Sequence, residues 1–176
     1  MKNVKYLCLL AALSVCSVSV GCNDNDADGR KEAPFIYLTQ AAFDSPYAVP
    51  GNYKYESGSE VISVPLSIHR AGLDALEAYS VKLEVLDEAV EGTQQLPEEA
   101  YVLPSAVNSP EGVRTCGFSL DLKLGFLRKD HAGAVYSLVL AISDPSKYAI
   151  EESMAKVAIR IDPVALLKDS DIYYDW

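Results

Sequence analysis

The chain has 176 residues, with 15 Lys and Arg against 25 Asp and Glu and a formal net charge of −10. An acidic protein of this kind repels polyanions, which argues against binding to DNA or RNA. No Gly-x-Ser-x-Gly, His-Glu-x-x-His, phosphate-loop or Cys-x-x-Cys pattern occurs, so the common hydrolase, metalloprotease, nucleotide and redox templates are absent.

Lys2 and Lys5 open the chain, and residues 6–18 are almost entirely apolar or small. That charge-then-apolar order marks a secretory signal. The apolar stretch is shorter than the ~20 residues that span a bilayer as a helix. Ser19-Val20-Gly21-Cys22 follows, and it resembles the lipobox of bacterial lipoproteins. The resemblance implies that the Cys22 thiol receives a diacylglyceryl group, that residues 1–21 are removed, and that the new amine is acylated. Several chains are needed for a stable anchor, because each buried CH₂ contributes only about 0.8 kcal/mol. Residues 23–28 carry Asp24, Asp26 and Asp28 and no cation. This is similar to the surface-export signal of Bacteroidetes lipoproteins, which implies the outer membrane, facing the cell exterior. Asp24, Asp26, Asp28 and Gly29 also match the start of an EF-hand loop, but the twelfth position, where Glu is needed, is Phe35. Residues 22–34 therefore read as an acidic, flexible tether, and no metal or other cofactor is expected.

Without residues 1–21 the chain keeps 13 cationic and 25 anionic side chains, a formal −12, over 155 residues, enough for one domain with a core. Besides Cys22 it retains only Cys116, which excludes a disulfide within the domain and reads as a small apolar core residue. His69 and His131 sit in no recognisable catalytic motif.

From Phe35 onward the apolar pattern has period two, the mark of strands with one buried face. "FIYLT" at 35–39 is the first short candidate. In "EVISVPLSIHR", Ile62, Val64, Leu66 and Ile68 share a face. Pro65 lacks an amide donor, which predicts an edge position or a bulge there. "GLDALEAY" at 72–79 is the one helical candidate. "YSVKLEV" places Val81, Leu83 and Val85 inward, and "AYVLPS" at 100–105 is a further short strand. "FSLDLKLGF" aligns Phe118, Leu120, Leu122 and Leu124; "VYSLVLAIS" aligns Tyr136, Leu138, Leu140 and Ile142; "KVAIRID" aligns Val157, Ile159 and Ile161. About seven antiparallel strands separated by turn residues predict an all-β, immunoglobulin-like two-sheet sandwich over 35–162. Tyr136 opens its strand in the manner of a tyrosine corner, a structural role. Residues 163–176 read as an aromatic C-terminal tail.

Leu96-Pro97 with Tyr101, an alternating strand, and Tyr136 before a buried strand resemble the module named domain of unknown function 1735 in lipoproteins of gut Bacteroidales. Domain of unknown function 4843 is similar nearly as well. The resemblance covers about residues 35–162. It implies an immunoglobulin-type sandwich, often encoded with polysaccharide-uptake systems, and in this family often followed by a glycan-binding or glycosidase domain; none is expected after this module.

The adjacent pairs Glu98-Glu99 and Glu151-Glu152 do not by themselves set two carboxyl groups across a cleft, so glycosidase chemistry is not expected. The aromatics are a better lead. Tyr47, Tyr53 and Tyr55 surround one loop, and Tyr173, Tyr174 and Trp176 end the chain. Such rings stack on sugars or dock proteins, or close the ends of a sandwich. The expectation is a non-enzymatic surface lipoprotein, either binding glycan or partner lipoproteins in polysaccharide uptake or serving as a structural, adhesin-like docking subunit.

Overall fold

The alternation of apolar and polar residues sets the architecture. A computed structural model describes residues 33–42, 46–129 and 133–168, all within one compact unit. Cys22, His131, Tyr173, Tyr174 and Trp176, and with them the signal and most of the tether, lie outside the described residues.

The strands, in chain order, are β1 (Phe35–Leu38), β2 (Tyr47–Ala48), β3 (Val61–Ala71), β4 (Tyr79–Leu86), β5 (Gln94–Gln95), β6 (Tyr101–Val102), β7 (Ala106–Ser109), β8 (Thr115–Lys123), β9 (Tyr136–Ser143), β10 (Ala149–Ile150) and β11 (Lys156–Ile161). Two short helices, α1 (Leu124–Leu127) and α2 (Pro163–Leu167), follow β8 and β11. One sheet runs β10-β1-β3-β8-β6 and the other β2-β11-β9-β4-β7, with β5 alongside β9. The seven strands of four or more residues form β1-β3-β8 in one sheet and β11-β9-β4-β7 in the other, every neighbour antiparallel. This is the immunoglobulin-like sandwich. The two-residue strands β10, β2 and β5 add parallel pairings that the alternation alone did not signal.

The inward rows predicted from sequence meet between the sheets. Ile62, Val64, Leu66 and Ile68 from one sheet and Val81, Leu83, Leu138, Leu140 and Ile142 from the other are buried in a single core cluster. Each such side chain contributes about 1.5–3 kcal/mol relative to exposure.

Pro65 does not lie at a sheet edge, because β3 runs between β1 and β8. Its missing amide nevertheless needs no partner. Ser63 N and O point away from β8 and bond Lys54, and Ser67 N, on the same side, donates to Gln40 Oε1 at 3.1 Å. β1 pairs with β3 only at residues 68–71. Pro65 therefore faces the gap between these contacts, where no strand offers an acceptor to the residue.

Residues 72–78 are a loop rather than the helix predicted there. Arg70, 1% exposed, continues the inward row of β3, and its guanidinium takes the carbonyls a helix would use. Nη1 donates to Gly72 O at 3.4 Å and Asp74 O at 2.8 Å, and Nη2 to Ala75 O at 3.1 Å. Gly72 has φ +101, and an added Cβ would come 3.0 Å from Pro34 Cα. Tyr148 lies across the guanidinium, 5.0 Å from ring centroid to Cζ, and packs edge-on against Tyr79. The Tyr148 hydroxyl accepts from Glu77 N at 3.1 Å.

α2 occupies the start of the stretch read as a tail. Pro163 fits its first turn, and Asp162 Oδ1 accepts from Ala165 N at 3.0 Å, a helix N-cap. Leu166 is fully buried in the core cluster.

Candidate functional site

Between β5 and β7 the chain changes sheets twice, and that crossing makes a groove. Gln94 N donates to Val135 O and Leu96 N to Ser137 O, both at 2.8–2.9 Å, which fixes the segment to β9. Pro97 then caps a short 3-10 turn, Glu98–Ala100, closed by Ala100 N to Pro97 O at 2.9 Å. β6 crosses to the other sheet, where Tyr101 pairs with Leu122. The chain returns through Ser105, whose carbonyl accepts from Leu83 N at 2.9 Å, into β7. Leu96 and Ala100, at 3% and 1% exposed, pin the crossing to the core. The loop before it is held by the buried Ser137 hydroxyl, which accepts from Val90 N at 3.0 Å and lies 2.7 Å from Thr93 Oγ1.

Two adjoining hollows open between this crossing and β4. One, of about 600 Å³, is lined by Val85, Gln95, Leu96, Pro97, Glu98 and Tyr101. The other, of about 430 Å³, shares Val85, Glu98 and Tyr101 and adds Leu83, Val102, Leu103, Pro104 and Ser105. Together they form an open groove with an aliphatic floor, one half-buried tyrosine at the junction and a few polar groups at the rim. Burial raises the Tyr101 hydroxyl's pKa above the ordinary tyrosine value, and the Glu98 charge adds to it. The tyrosine therefore stays neutral and able to donate a hydrogen bond. The Gln95 side-chain amide donates to Leu86 O at 3.4 Å, leaving its carbonyl at the rim. An open concavity lined by aliphatic, aromatic and polar side chains can receive a small ligand.

Of the aromatic residues singled out from sequence, Tyr47, Tyr53 and Tyr55 fall elsewhere, and Tyr173, Tyr174 and Trp176 lie outside the described residues. Tyr47 pairs with Ile159 on β11, and Lys54, between Tyr53 and Tyr55, bridges to Ser63 on β3. All three tyrosine rings are half-buried against the core. They close the flank of the sandwich opposite the groove, and none lines it. Burial raises the pKa of Tyr47. Cys116 is half-buried against the core with its Sγ 3.6 Å from Asn108 O. His69 stacks on Tyr37 at 5.2 Å between centroids, with Nδ1 2.8 Å from Thr115 Oγ1. Burial, and then the charge of Arg114, lowers its pKa. Of the two acidic pairs, only Glu98 lines the groove; the backbone amide of Glu151 instead donates to Ile36 O at 3.0 Å, beside β1. Among the described residues no group of three or more His, Cys, Asp or Glu is placed to hold a metal ion. The groove residues were visible in the sequence as the Leu96-Pro97 and Tyr101 motif, the Glu98-Glu99 pair and parts of two strands, with nothing to show that they converge.

Fold and groove together define a β-sandwich of the immunoglobulin class with a lateral hollow. No family model matches the chain, and no curated protein does. Solved structures share its fold. A Bacteroides ovatus protein of unknown function is 10% identical with a TM-score of 0.52, over 74% of this chain and 52% of that one. A second from Bacteroides ovatus, also of unknown function, is 17% identical with a TM-score of 0.50, over 71% and 45%. A proposed carbohydrate binding protein of Bacteroides ovatus is 13% identical with a TM-score of 0.45, over 73% and 36%. At these identities the likeness is one of fold. The chain spans about half the length or less of these Bacteroides structures.

Proposed function

We propose that this chain is a non-enzymatic glycan-binding lipoprotein of the cell surface, anchored through lipid on Cys22 and serving polysaccharide uptake, built on a Bacteroidales module of the domain of unknown function 1735 type. The observation that carries the reading is the groove at Glu98 and Tyr101. A half-buried tyrosine beside aliphatic side chains, with a carboxylate and an amide also lining the groove, suits the apolar face and hydroxyl edge of a sugar ring. Glu98 is the one carboxylate lining the groove. Glycosidases of the usual kind take two, about 5–9.5 Å apart, which favours capture over cleavage. The alternative, a docking subunit that pairs strand edges, is less favoured by the edges present. Three of the four outermost strands, β10, β6 and β2, are two residues long, a form that blunts strand addition.

The test is a glycan array probed with the labelled mature chain, residues 22–176, and with a Tyr101→Leu variant. The wild type binds a defined glycan set, and the variant loses at least tenfold in affinity, about 1.4 kcal/mol, while circular dichroism stays unchanged. Binding retained at full strength by the variant removes the groove from the reading.

A further inference from the structure

We infer that Glu98 sets the specificity of the groove, admitting neutral and amine-bearing glycans and rejecting those that carry carboxylate or sulfate. The inference rests on the glycan-binding reading above and adds the charge class of the ligand. Glu98 is the one carboxylate side chain common to both hollows; Val85 and Tyr101 are the other two they share. Among the described residues, no Lys, Arg or His lines either hollow. On β4, Lys82 is engaged by Asp144 at 2.6 Å. Among the described residues that line the groove, none is a cation to offset Glu98. Burial is the larger cause of the raised Tyr101 pKa, and the nearby Glu98 charge acts in the same direction.

The whole chain reinforces the sign. Its formal charge is −10 over the full sequence, so the field beyond the groove also opposes an incoming anion. A uronate or sulfate group at the junction would meet the Glu98 carboxylate, a like charge that repels it. A protonated amine at the same place would gain a charge-assisted hydrogen bond. A neutral sugar needs neither, and its hydroxyls can donate to the Glu98 oxygens.

The experiment compares the mature chain with Glu98→Gln on one array carrying neutral, amine-bearing and acidic glycans, at low ionic strength, followed by titration of the strongest binder of each class. Glutamine keeps the shape and removes the charge. The wild type is expected to bind neutral and amine-bearing glycans only. The variant should lose at least tenfold on amine-bearing glycans, stay within about twofold on neutral ones, and gain acidic ones. Wild-type binding to acidic glycans, or a variant with the same charge preference as the wild type, overturns the role of Glu98 and leaves the groove as a glycan site. Absence of binding to every glycan by the wild type overturns both together.

Discussion

Arg70 decides more of the local structure than any neighbouring residue. It stands where the inward row of β3 would place an apolar side chain, 1% exposed, and no carboxylate of a described residue bonds it. Its charge is met by three carbonyls and the face of Tyr148. Arg114 Nη1 adds a second donor to Gly72 O at 3.1 Å. Without Arg70, the carbonyls of Asp74 and Ala75 would remain near the end of the sandwich with no guanidinium to satisfy them. Arg70→Met should therefore destabilise the fold by about 2–4 kcal/mol, and Arg70→Lys should recover only part, because one ammonium lacks the planar fork. Urea unfolding checks this through a lower midpoint at unchanged slope; midpoints equal to wild type would remove the clamp from the account. The sequence reading missed Arg70 because a charged residue closing an alternating run looks like the end of a strand. It found Tyr101 and Glu98 only as members of a motif and an acidic pair. Their convergence depends on a double change of sheet that periodicity does not encode.

At the scale of elements, the long strands were legible from their apolar alternation, which the burial of Val61–Ala71 follows residue by residue; β9 is buried on both faces over Tyr136–Leu140. Elements held by side chains or by single bridges were not. The helix read at 72–79 gave way to the Arg70 clamp, and the two-residue strands carry no pattern of their own. α2 had a signal that went unused. Asp162-Pro163 is an N-cap followed by proline at the first helical position, and Leu166 then faces the core. The domain therefore ends beyond the last strand. Asp162→Ala should cost about 1 kcal/mol through the lost bond to Ala165 N. Leu166→Ala should cost about 2–5 kcal/mol, as for a fully buried leucine. Thermal unfolding of the two variants separates a packed helix from a tail; if Leu166→Ala melts with the wild type, α2 does not belong to the core.

For the whole molecule, the proposed lipid anchor on Cys22 and the proposed glycan groove make separable predictions. Residues 23–34 reach at most about 40 Å when fully extended, at ~3.3–3.6 Å per residue. The first strand begins at Phe35, and the described residues that line the groove fall within 83–105. Removing the anchor should thus change where the protein resides and leave its binding untouched. Cys22→Ser tests this, because serine cannot form the thioether that carries the diacylglyceryl group. Wild-type protein should sediment with the outer membrane, leave it only in detergent, carry the lipid mass on Cys22, and be cut by protease added to intact cells. The variant should lack the lipid mass and fractionate as soluble protein, because no several-chain anchor then remains to hold it. Its affinity for the glycans selected on the array should match the wild type within about twofold. Wild-type protein found in the medium with an unmodified Cys22 would overturn the anchor. A variant that is released but has lost glycan binding would show instead that membrane and groove are coupled.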